Sequence, residues 1–138
     1  AVELSEVAFP VLTENLSRYP AARVNAIRGD ICAWEPARRY ALIVSNPPYL
    51  RREDFGAMQP EVRFEPKMAL AAGEDGLFFY RMIARRFPQA LLPGGWLLLE
   101  SGAGQAQEVA SLLRGAGMKE VGVREDYAGI GRVVMGCV

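Results

Sequence analysis

The 138-residue sequence has no histidine and only two cysteines, Cys32 and Cys137, which lie far apart in the chain. With no imidazole to join them, the cysteines cannot build an ordinary metal-ligand set, so no metal site is expected and they read as two buried, reduced thiols of a cytoplasmic protein. Net charge is missing too: Lys and Arg total 16 and Asp and Glu total 16, so no basic field favours nucleic acid or an anionic membrane surface. No apolar stretch approaches the roughly 20 residues that span a bilayer. The opening Ala1-Val2-Glu3-Leu4 lacks the basic segment and long apolar run of a secretion signal. Internal repeats, low-complexity segments and interdomain linkers are also absent. What is present is 51% apolar and 23% charged residues in a length of one domain or slightly less, the composition of a soluble globular core.

The most constrained stretch is Asn46-Pro47-Pro48-Tyr49, at the end of the apolar run Ala41-Leu42-Ile43-Val44. That run is short, rich in branched residues and bounded by polar ones, and so reads as a buried strand over residues 41–45. Each proline lacks a backbone N–H and fixes its own φ near about −65°, and each pushes the preceding residue out of the helical region. The turn is therefore nearly rigid. It can hold one amide side chain and one aromatic ring at fixed positions at the carboxyl end of a strand.

Ahead of it, residues 1–3 read as the end of a strand with Glu3 at its tip, followed by an amphipathic helix from Ser5 to about Tyr19. Pro10 conflicts with that helix, since a proline beyond the first turn costs about 3 kcal/mol and should kink the helix or delay its start. Residues 24–28 form a second strand with Asp30 at its carboxyl end. Residues 50–75 are polar, contain Pro60 and Pro66, and show no sustained period, so they read as a long functional loop. A helix over 76–92 comes next, with Phe79, Ile83, Phe87 and Ala90 on one stripe. Pro93-Gly94-Gly95 then turns into a buried strand over 96–100. The last elements are a helix over 105–114 ending at Gly115 or Gly117, and strands over 120–125 and 132–137.

Alternating strands and helices predict a mainly parallel α/β sheet with ligands outside the carboxyl ends of its strands. That rule selects Glu3, Asp30, Asn46 with its turn, and Glu100-Ser101-Gly102. Gly102-Ala103-Gly104 lacks the third glycine of a nucleotide-binding loop. Tyr80 and the Phe78-Phe79 pair read as core aromatics.

Taken together, these residues resemble the class I S-adenosylmethionine-dependent methyltransferases, and Asn46-Pro47-Pro48-Tyr49 is similar to their amino-methylating motif. A narrower resemblance is to the HemK/PrmC-type glutamine methyltransferases that act on peptide chain release factors. It rests on Val44 through Leu50, on Val62-Arg63-Phe64-Glu65-Pro66 with Ala69-Leu70, and on Gly73 with Asp75-Gly76-Leu77. It continues through Leu92-Pro93-Gly94-Gly95, Leu98-Leu99-Glu100-Ser101-Gly102, Asp126-Tyr127-Ala128-Gly129 and Arg132-Val133-Val134. The resemblance implies a Rossmann-like sheet, mostly parallel with an antiparallel last strand, in which residues 1–138 are the C-terminal portion of a single catalytic domain. The family's first strand, its glycine loop and its helical N-terminal domain have no counterpart in these residues.

The implied activity is N5-methylation of the glutamine side chain in the GGQ segment of release factors, with S-adenosylmethionine as methyl donor. By the same resemblance Glu3, Asp30 and Asn46 face the cofactor, and Asn46, Pro47 and Tyr49 carry the chemistry. Pro48, Arg63 and Glu65 help to form the substrate site; Arg63 and Glu65 also admit a plain surface ion pair. The partners implied are release factors, with no direct nucleic-acid binding, no membrane and a monomeric chain. Rival readings are a ribosomal-protein glutamine methyltransferase, a nucleic-acid adenine methyltransferase and a non-catalytic Rossmann-like binding module. Because a central strand and the glycine loop are unaccounted for, the 138-residue polypeptide alone is expected neither to fold well nor to bind cofactor. A circular dichroism melt with a cofactor titration checks this, and a cooperative melt with tight binding is the contrary result.

Overall fold

A computed structural model describes every residue except Ala22, Ala57 and Gln59 and divides the chain into two units, Ala1–Ala37 and Arg38–Val138. In the first unit β1 (Val2–Glu3) pairs in parallel with β2 (Ile27–Arg28), Val2 opposite Ile27 and Glu3 opposite Arg28. The second strand is thus shorter than the 24–28 run suggests. Between the two lies α1 (Ala8–Ser17). The Ser5 hydroxyl accepts the Ala8 N–H at 3.1 Å, so the helix begins beyond its cap and Pro10 falls in the first turn. The Ser5 carbonyl already accepts the Phe9 N–H at 3.0 Å, so the proline interrupts only the next bond, within a first turn that tolerates it. None of α1 is buried, because two strands of two residues each offer too little surface to cover its apolar stripe.

The second unit holds a four-stranded sheet in the order β3-β4-β6-β5, formed by β3 (Tyr40–Ser45), β4 (Leu91–Glu100), β5 (Lys119–Glu125) and β6 (Gly131–Cys137). β3 and β4 are parallel, and β6 runs antiparallel to both β4 and β5. Three strands therefore share one direction and the last is reversed, as the family resemblance implies. Two helices, α2 (Phe78–Arg86) and α3 (Ala106–Gly115), join them. Gly117 ends α3 at φ +80°, with its N–H on the Arg114 carbonyl and the Met118 N–H on the Leu113 carbonyl.

The core reflects the side-chain periods. Leu97 and Leu99, two apart on β4, share one face and are fully buried, as are Val134 of β6 and Val109, Ala110 and Leu113 of α3. Tyr80 is also fully buried, and its hydroxyl donates to the Glu100 carbonyl at 3.0 Å. Burial pushes that phenol above its ordinary range. Tyr80 is thus a core aromatic, as expected, whereas Phe79 is only half-buried and Phe78 is exposed.

Four expectations change. Residues 41–45 are not a buried strand: Leu42 and Val44 are 52% and 66% exposed. β3 is an edge strand paired only with β4 among the described strands, and α3 packs on β5 and β6 at the other side of the sheet. Pro93-Gly94-Gly95 is not a turn before a strand but a bulge within β4, since Tyr40 opposes Leu91 while Leu42 opposes Trp96. The helix expected over 76–92 stops at Arg86 and continues only as a 3-10 turn, Pro88–Ala90, because Pro88 has no N–H for the ladder. Neither cysteine is in a disulfide; Cys137 is buried but Cys32 is only half-buried. Among the described residues no helix is long and apolar enough to cross a membrane.

In the intact protein, Leu97→Ala is expected to cost about 2–5 kcal/mol through the cavity it leaves. Tyr80→Phe, which removes only the bond to the Glu100 carbonyl, should cost about 1 kcal/mol. Denaturant titrations of both variants check this order.

Candidate active site

Ser45 of β3 sits opposite Leu99 of β4 in a parallel pair, so the chain leaves both strands at the same end of the sheet. Asn46 emerges from one strand tip and Ser101-Gly102 from the other. Asn46 is exposed, and among the described residues its amide has no hydrogen-bond partner. Pro47 behind it is buried, and Pro48 and Tyr49 are half-buried. Leu50 then locks the end of the turn: its N–H donates to the Leu70 carbonyl at 2.9 Å and its carbonyl accepts the Ala72 N–H at 3.0 Å.

These two bonds close residues 51–70 into a loop with joined ends. The sequence predicts no regular structure for this segment, yet it contains three 3-10 turns, Arg52–Gly56, Glu61–Phe64 and Lys67–Ala69. Such turns are too short to show a period in sequence. Ala57 and Gln59, within the same expected loop, lie outside the described residues. Arg63 and Glu65 are exposed, and no ion pair joins them among the described residues. Phe64 between them is 90% exposed.

Gln105 is the residue that sequence reasoning passed over. Its side chain is buried between the two strand tips, where Nε2 donates to the Tyr49 carbonyl and Oε1 accepts the Gly102 N–H, both at 3.1 Å. Two glycines make room for it. A Cβ on Gly102 would lie 2.5 Å from Gln105 Oε1 and 2.9 Å from Tyr49 Cδ2; one on Gly76 would lie 2.5 Å from Gln105 Nε2 and 2.6 Å from the Tyr49 carbonyl oxygen. Gly76 also has φ +74°, which side chains resist. The available sequence clue was a glutamine placed immediately before a helix and three residues after a glycine.

Carboxylates brace this cluster from outside. Asp75 accepts the Leu77 N–H at 3.1 Å and pairs with Arg81, whose guanidinium holds the carboxyl down at about 2 instead of 3.8. Ser101 donates its N–H to the Arg132 carbonyl at 2.8 Å, and Arg132 in turn binds Asp126 at 3.2 Å. Asp126 also accepts the N–H groups of Ala128 and Ile130, and these bonds, that of Ile130 first, draw its carboxyl below the usual range.

Glu3 and Asp30 belong to the first unit. They lie at the carboxyl ends of β1 and β2, where the Gly29 N–H donates to the Glu3 carbonyl at 3.0 Å. One oxygen of each carboxylate is held in a local turn: Glu3 Oε1 accepts the Ser5 N–H at 2.7 Å and Asp30 Oδ1 the Cys32 N–H at 2.8 Å.

No family model matches the chain. It is 44% identical over 138 residues to the release factor glutamine methyltransferase of Geobacter sulfurreducens, covering 98% of this chain and 48% of that protein. The release factor glutamine methyltransferase of Bordetella pertussis is 46% identical over 134 residues, covering 96% of this chain and 49% of that protein. The chain thus spans about half the length of the curated relatives it matches. Among solved structures, a methyltransferase from Pyrococcus furiosus superposes with a TM-score of 0.67 at 17% identity, over 99% of this chain and 60% of that one. That likeness establishes the methyltransferase fold.

Gly76→Ala in the intact protein is expected to destabilise by about 1–3 kcal/mol more than Gly129→Ala. Both glycines have similar positive φ, at +74° and +77°, but only Gly76 is crowded. Thermal unfolding of the two variants side by side measures the difference.

Proposed function

We propose that this chain, a homologue of the release factor glutamine methyltransferases over nearly all its length, is the C-terminal portion of a single catalytic domain that N5-methylates the GGQ glutamine of peptide chain release factors. The observation that carries the site assignment is the state of the Asn46-Pro47-Pro48-Tyr49 turn. Everything in it is restrained except one exposed amide, unpartnered among the described residues, at the carboxyl end of a strand.

An amide nitrogen is a weak nucleophile because its lone pair is delocalised into the carbonyl. The Asn46 side-chain oxygen and the Pro47 carbonyl each accept one N–H of the substrate amide, favouring a pyramidal nitrogen whose lone pair can reach an electrophile. Tyr49 packs on the planar amide and sets its height, while Pro48 keeps the two acceptors from drifting apart. Arg63 and Glu65, on a loop joined to the turn at Leu50, present a cation and an anion to the protein substrate. Well-aligned partners gain about 7–11 kcal/mol from proximity, so positioning supplies most of the acceleration. No strong base is needed, since the nitrogen sheds its proton readily once methylated.

S-adenosylmethionine supplies the methyl group as a sulfonium. Within the first unit, Glu3 and Asp30 carry acceptors at neighbouring strand tips that suit the ribose hydroxyls and the adenine amino group of that molecule. The balanced charge of 16 against 16 gives no support to a nucleic-acid substrate. The working form is a cytoplasmic monomer.

Transfer of radiolabelled methyl by the complete protein to release factor, ribosomal protein and DNA tests the reading. Label is expected on the release factor. Asn46→Ala should lower kcat, measured at saturating methyl donor, by about 100-fold or more. Label on ribosomal protein or DNA, and none on release factor, is the outcome that overturns the substrate assignment.

A further inference from the structure

We infer that Gln105 is a positioning residue for methyl transfer, acting through the Tyr49 carbonyl rather than on the substrate. The inference rests on the reading of Asn46–Tyr49 as the amide site and adds a residue to it. Gln105 is only 4% exposed, and both ends of its amide are engaged: Nε2 bonds to Tyr49 and Oε1 to Gly102. The base of its side chain is equally restrained. Its own N–H donates to the Gly102 carbonyl at 3.1 Å, and its carbonyl accepts the Val109 N–H at 3.0 Å at the start of α3.

This link needs a donor at one end and an acceptor at the other, at glutamine's reach. A primary amide has both; glutamate at neutral pH has only acceptors, and methionine has the length but neither function. The Tyr49 carbonyl lies at the point where the rigid double proline ends and the loop begins. Among the described residues, the other restraint nearby is the Leu50 pairing, which holds the chain one residue further on. Gln105 therefore fixes the peptide that carries the Tyr49 ring, and does so from β4's own exit loop. A Cβ on either Gly76 or Gly102 would collide with the Gln105 amide. A contact that merely filled space would not require both hydrogen bonds together with two flanking glycines.

The test uses Gln105→Met, which keeps the length and loses both bonds, and Gln105→Glu, which keeps the acceptor alone. Both are made in the complete protein and assayed on whichever of release factor, ribosomal protein or DNA the wild type labels. Each should lower kcat by about 10-fold or more, with the KM for methyl donor changed less than about 3-fold. In a Tyr49→Ala background the same substitutions should cost a clearly smaller factor, because their effect runs through the ring that is already gone. A kcat within about twofold of wild type in both folded variants, or equal factors in the two backgrounds, overturns the inference. Label on another acceptor would sink the release-factor reading and leave Gln105 to be judged on that acceptor. Absence of transfer to all three would overturn both.

Discussion

The parallel pairing of β3 with β4 is the constraint on which the second unit depends. With Ser45 opposite Leu99, two strands far apart in sequence end at the same edge, and the segments leaving them are delivered to one place. In an antiparallel pair, Asn46 would emerge beside the start of its partner strand and not beside its end. The shared exit lets Gln105 bond to a carbonyl 56 residues earlier in the chain. Independently of β3, Tyr80 of α2 bonds to the Glu100 carbonyl and the Arg132 carbonyl of β6 accepts the Ser101 N–H.

Around that edge the chain is restrained by several independent means. Proline rings stiffen the turn covalently, Leu50 pairs its exit with residues 70–72, and Gln105 ties its last carbonyl to the neighbouring loop. The glycines at 76 and 102 are the complement of this crowding, since they are where backbone and side chain approach too closely for a Cβ. What remains unrestrained is the Asn46 amide. Such a site suits chemistry in which alignment dominates and proton transfer is easy, and a chain without histidine is no handicap there.

Much of this was legible in the sequence, unevenly and for physical reasons. The Asn46–Tyr49 turn could be read directly because a proline ring fixes its own φ whatever surrounds it. The order and type of elements were legible because helix and strand periods are local. Pro10 looked like a conflict because the start of α1 was set at Ser5; the regular helix runs from Ala8, which puts the proline in its first turn. The β3 run reads as buried by composition, yet Leu42 and Val44 are exposed, since burial depends on what lies over a strand and not on the strand itself. Gln105 gave no periodic signal, and its partners are fixed only by the sheet.

By itself, then, the sequence determined the alternating strands and helices, the rigid double-proline turn at a strand end, and the family resemblance that the relatives bear out. These depend on covalent geometry and on patterns a few residues long. Tertiary structure alone decided that β3 is an edge strand, that Pro93-Gly94-Gly95 bulges within β4, and that three 3-10 turns follow the pinned Leu50. It alone also set a buried glutamine amide beneath the turn. Each of these is a matter of register and close approach between distant segments, which only the folded sheet brings into contact.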